Sequence, residues 1–107
     1  MSHDAVMDAR RPARDALQLE EVLHALSDPV RLQIVLALDG AAGELACGQF
    51  PIPVSKSTAS HHFKVLRDAG VLESRYEGTR RFHWLRRDDL DARFPDLLDA
   101  VLDAART

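Results

Sequence analysis

At 107 residues, with 46% hydrophobic and only 6% aromatic content, the chain can build one small domain whose core rests on Leu, Val, Ile and Ala. A single cysteine, Cys47, excludes an intramolecular disulfide framework and an all-thiolate metal site within one chain, and fits a reducing cytosol. The formal net charge of −3 argues against a nucleic-acid partner only until its distribution is read: residues 55–87 carry eight basic side chains against three acids, between acidic flanks.

The opening MSHDAVMDARRPARDA has no apolar run, so a signal peptide is not expected. No window approaches a membrane span, so a cytoplasmic location is expected. Residues 1–14 are polar and aperiodic and read as a mobile arm ahead of one domain over residues 15–107, with helix beginning near Asp15. Leu19, Val22, Leu23 and Leu26 then fall on one helical stripe. In Ser27-Asp28-Pro29 the aspartate suits a cap and the proline the first position of a second helix, VRLQIVLAL, which is apolar almost all round and is predicted to end at Gly40. ELACGQF over 44–50 fits a short strand or a short helix, and Pro51 and Pro53 make PIPV a constrained connector.

Ser55 is the expected N-cap of the next helix, SKSTASHHFKVLRDAG, with Ala59, Phe63, Val65 and Leu66 turned to the core and Gly70 at its left-handed end. VLESRY and TRRFHWLR read as two strands joined at Glu77-Gly78. Leu90, Phe94, Leu97, Leu98, Val101, Leu102 and Ala105 mark a last helix, interrupted at Pro95. The order predicts a mainly α fold with a small β-hairpin: a winged helix-turn-helix.

A helix that enters a major groove must show small polar or basic side chains on its first turns and an apolar face behind them. Lys56, Ser57, Thr58, Ser60, His61 and Lys64 supply the first, and Ala59, Phe63 and Leu66 the second. Arg75, Arg80 and Arg81 are placed on or near a hairpin tip that could reach the neighbouring backbone. Double-stranded DNA is therefore the expected partner. The adjacent histidines His61 and His62 point about 100° apart on a helix and do not readily chelate one metal, since paired ligands prefer i, i+4. His61 is expected outward, and His62 toward the flank, hydrogen-bonded to a neighbouring helix.

ALSDPVRLQIVLAL followed by VSKSTASHHFKVLRDAGVLESRYEGTRRFHWL resembles the ArsR/SmtB family of bacterial transcriptional regulators over roughly residues 17–104. The resemblance implies a homodimer in which the first and last helices form the interface and two recognition helices read an inverted repeat. By that resemblance Leu19, Val22, Leu23, Leu97, Leu98, Val101 and Leu102 divide between core and dimer interface. It also implies two familiar metal sites, both incomplete here. In ELACGQF the two thiolate positions hold Ala46 and Gly48, with Cys47 between them. In the last helix the best register gives Asp91, Arg93, Ala104 and Thr107, one ligand of four.

The function expected is a sequence-specific DNA-binding regulator, an effector-responsive repressor acting as a homodimer. One alternative is a Ni- or Zn-responsive regulator, even an activator, with an atypical ligand set. His3 near the amino terminus is a weak candidate ligand for Ni(II) or Cu(II), and Asp4, His24 and His83 are conceivable contributors. Another is a protein-interaction module on the same scaffold, facing a partner protein. Cys47 is a weak candidate redox thiol. An enzyme built on Ser60, His61 and Cys47 is not expected, because no nucleophile–base–acid constellation is present.

Overall fold

The computed structural model describes residues 12–41 and 43–107, so candidate ligand His3 and most of the expected N-terminal arm lie outside the described residues. Among the described residues, a 3-10 turn at Arg14–Ala16 leads to five α-helices: α1 (Leu19–Ala25), α2 (Pro29–Ala41), α3 (Lys56–Asp68), α4 (Arg87–Arg93) and α5 (Leu97–Arg106). Three strands, β1 (Glu44–Ala46), β2 (Leu72–Glu77) and β3 (Arg80–Leu85), form an antiparallel sheet in the order β1-β3-β2. The expected hairpin thus gains a third strand. ELACGQF divides between the two readings open to it, with β1 followed by a 3-10 turn at Cys47–Gln49.

Local chemistry explains the helix ends. The Asp28 carboxylate accepts from the Val30 and Arg31 amides at 2.8 and 3.1 Å, which satisfies two orphan donors at the start of α2. Ser55 Oγ accepts from the Thr58 amide at 3.3 Å and caps α3. At its far end Val71 N–H reaches Leu66 O and Gly70 N–H reaches Arg67 O, with Gly70 at φ +86°. This two-bond closure requires a left-handed residue, which glycine adopts without strain. Gly40, expected to end α2, instead sits inside its last turn, and the helix runs on to Ala41. The β2–β3 turn also differs by one residue. Glu77 pairs with Arg80, so the two loop positions are Gly78 and Thr79, with the positive φ at Gly78. After α4 the chain breaks at Pro95, as its missing N–H demands, and Asp96 turns it into α5 through a left-handed conformation.

The core joins Val22, Ala25 and Leu26 of the first helical segment to Ile34, Val35 and Leu38 of α2, Phe63 and Leu66 of α3, and Leu90, Leu98 and Leu102 from the carboxyl end. The residues expected to divide between core and dimer interface differ in burial. Val22, Leu98 and Leu102 are 1–3% exposed and belong to the core of the single chain. Leu19 and Leu23 are exposed, and Leu97 and Val101 are half-buried.

Candidate nucleic-acid interface

Two joints fix α3. At its amino end is the Ser55 cap. On its flank, Arg31 reaches out of α2 although it is only 8% exposed. It donates to Ala25 O at 2.7 Å and His24 O at 3.3 Å, two carbonyls at the end of α1, and to His62 Nδ1 at 3.1 Å. One guanidinium therefore ties α1, α2 and α3 together. Because Arg only donates, His62 Nδ1 accepts and the ring proton sits on Nε2. His62 lies on the helix flank as expected, while His61 points to solvent.

With Phe63 and Leu66 buried, the opposite face of α3 is left open. Lys56, Ser57, Thr58, Ser60, His61 and Lys64 are all exposed there. Thr58 is partly engaged, since its Oγ1 accepts from Ser55 Oγ at 3.1 Å. Lys64 pairs with Asp68 at 2.6 Å, one turn on. The helix N-terminus adds backbone donors and positive dipole to this face.

The ribbon sorts its arginines by strand alternation. The face bearing Ser74, Tyr76, Arg81 and His83 turns toward α3, and the His83 ring stacks on Phe63 with centroids 4.1 Å apart. Arg81 donates to Ser74 Oγ and Tyr76 Oη and lies over the Tyr76 ring. Arg80 is exposed beside the tip and sits over Phe82. Arg75 departs from the expectation. It stands partway along β2 on the other face and makes two parallel bonds to Glu44 at 2.5 and 2.8 Å. That pairing raises the Arg75 pKa and holds the Glu44 carboxyl below its usual range. Register explains the difference, because Arg75 lies opposite Phe82 and shares its face with Glu44 and Trp84.

Sequence reasoning passed over Arg67. It lines a cleft of about 670 Å³ between α3 and the ribbon, together with Lys56, Ser60, Cys47, His83 and Arg81. In the same cleft the exposed Cys47 places its Sγ 3.1 Å from Nε2 of the buried His83. Burial pushes the Cys47 thiol up, against the opposing pull of Arg81 and Arg67. Burial, reinforced by Arg67 and Arg81, pushes His83 down to about 3. Both groups are neutral near pH 7. No cluster of three or more His, Cys, Asp or Glu side chains able to hold a metal occurs among the described residues. Nor is any helix among them long and apolar enough to cross a membrane.

Residues 26–75, from the end of α1 to the middle of β2, match the helix-turn-helix domain family HTH_20. The chain is 35% identical over 83 residues to the HTH-type transcriptional regulator YceK of Bacillus subtilis, covering 76% of this chain and 83% of that one. It is 37% identical over 76 residues to the arsenical resistance operon repressor of Staphylococcus xylosus, covering 69% and 71%. The solved structure of the transcriptional repressor BigR from Xylella fastidiosa superposes with a TM-score of 0.58 at 28% identity, covering 88% of this chain and 97% of that one.

Proposed function

The chain belongs to the ArsR/SmtB family of winged helix-turn-helix transcriptional regulators, and from that premise we propose that it is an effector-responsive cytoplasmic repressor that binds an inverted-repeat operator as a homodimer. One observation carries this reading. The first turns of α3 leave Lys56, Ser57, Ser60 and His61 uncovered, while Phe63, Leu66 and the Arg31–His62 bond hold the helix rigidly from behind. A rigid polar helix face beside a basic ribbon suits a major groove flanked by phosphates. Repression then follows from occupancy of the operator, and induction from any ligand that binds the free protein better than the DNA-bound one. The repressor names carried by relatives support the sign of regulation.

The test is fluorescence anisotropy on DNA from upstream of the protein's own gene, over a range of salt. Arg80→Ala and Lys64→Ala weaken binding to every sequence and lower the salt slope by roughly one each, as expected for a lost phosphate contact. The Lys64 effect is the smaller, because its ammonium already has Asp68 as a partner. Ser57→Ala and His61→Ala change which sequence is preferred and leave the slope in place. If all four variants bind like the parent, α3 and the ribbon are not the DNA surface.

A further inference from the structure

The cleft behind the DNA-facing surface has the chemistry of a ligand site. Its volume of about 670 Å³ lies in the range of drug-sized pockets. No carboxylate lines it, whereas Lys56, Arg67, Arg80 and Arg81 do. Arg67 has no hydrogen-bond or ion-pair partner among the described residues, and Arg81 spends its donors on the neutral hydroxyls of Ser74 and Tyr76. Two half-buried guanidiniums thus share one cleft that no carboxylate lines, an arrangement that burial makes costly and that Asp68, outside the lining, offsets only in part for Arg67. Burial and Arg81 lower the Arg67 pKa, against the opposing pull of Asp68. Phe63, Ala59 and Tyr76 supply apolar wall. A second, independent feature lies at the base. His83 is fully buried, and its Nδ1 has no partner.

We propose that this cleft binds a small organic anion with an apolar body, and that the anion and operator DNA exclude one another. The oxyanion end neutralises Arg67 and Arg81, and the body lies along Phe63 and Tyr76. Recognition is non-covalent, through the guanidiniums and the apolar wall. Lys56, Ser60 and Arg80 border both the cleft and the DNA surface, so an occupant takes donors that phosphates would use. The exclusion rests on the operator-binding reading above; the anion site does not.

The experiment uses the full chain, 2-naphthoate as probe and uncharged 2-naphthamide as its counterpart, at constant ionic strength. Amide resonances of Cys47 and His83 report occupancy by NMR, and anisotropy reports operator binding. Naphthoate shifts those resonances saturably and binds about tenfold or more tightly than naphthamide, in line with a charge-assisted contact. Saturating naphthoate weakens operator binding by a similar factor. Arg67→Gln loses the naphthoate preference and keeps operator affinity within about threefold. Equal binding of the two probes, or shifts confined to residues outside the cleft, overturns the site. Naphthoate binding that leaves operator affinity unchanged overturns the exclusion. Absence of operator binding in the ligand-free protein defeats the regulatory reading instead, while the probe comparison still judges the site. That comparison is made on the parent chain and so does not depend on the variant's folding.

Discussion

Burial and two neighbouring guanidiniums hold the His83 imidazole neutral, with its pKa pushed from 6.5 down to about 3. The consequence for stability follows by linkage. In the unfolded chain the ring gains a proton below about pH 6.5, whereas in the folded chain it does not until about pH 3. The unfolded state therefore binds more protons across that window, and stability falls as pH falls through it. The limiting slope is about 1.4 kcal/mol per pH unit for one proton. Asp39 and Asp89, whose carboxyls are held low chiefly by Arg87 and Arg14, lose their contribution only at lower pH, below about 4.5. Glu44, held low by Arg75, begins to lose its contribution near its unfolded value of 4.5, so the upper part of this window reports histidine. Urea midpoints at fixed protein concentration are predicted to drop between pH 7 and 5 in the parent, with a shallower drop in His83→Phe. The substitution removes only the His83 imidazole, so the difference between the two drops belongs to His83. Equal drops in the two proteins would place the charge-sensitive group elsewhere.

Closure of α3 and the packing of the segment before α1 converge on one residue. Gly70 holds φ +86°, and a Cβ added there would overlap Leu17 Cδ2. Leu17 is 1% exposed, so its side chain has nowhere to swing. Gly70→Ala is predicted to cost at least about 2 kcal/mol, from left-handed strain and overpacking together, as read from urea midpoints. A loss below about 0.5 kcal/mol would mean that the segment around Leu17 is not seated against the helix end. The Gly70 stop was legible in the sequence, as were the Asp28 and Ser55 caps, because each depends on residues a few positions apart. β1 was only half legible, since three residues are too few for a period-two pattern to separate strand from helix. The role of Arg31 was hidden by its setting, a cation in an otherwise apolar run whose partners come from two other helices. The cleft was hidden for the same reason. Arg67, Cys47 and His83 lie far apart in sequence, and only the sheet register, which turns His83 inward and Arg75 away, brings His83 against the helix that carries Arg67.

A chain of this size offers a recognition helix with only a few base contacts, and a half-site of that kind binds weakly without a second copy. Two-fold symmetry doubles the contacts and counts every interface residue twice. In the homodimer proposed above, Leu19 and Leu23 are the surface feature that a second copy would cover. They lie four residues apart on α1, one helical turn, and each is 44% exposed where a solvated helix would carry polar side chains. Both came from the expected interface set, from which the core has withdrawn Val22, Leu98 and Leu102. The separation gives the prediction its control. Leu19→Asp with Leu23→Asp is expected to leave helix content intact, shift sedimentation from dimer to monomer at micromolar concentration, and weaken operator binding by roughly a hundredfold or more, because only half-site contacts survive. Leu102→Ala, by contrast, opens a cavity in the protomer core and is expected to lower the unfolding midpoint by about 2–5 kcal/mol equivalent without a comparable change in sedimentation. Should the double variant sediment as the parent does, the exposed leucines of α1 are not the dimer contact, and the half-buried Leu97 and Val101 of α5 become the positions to change next.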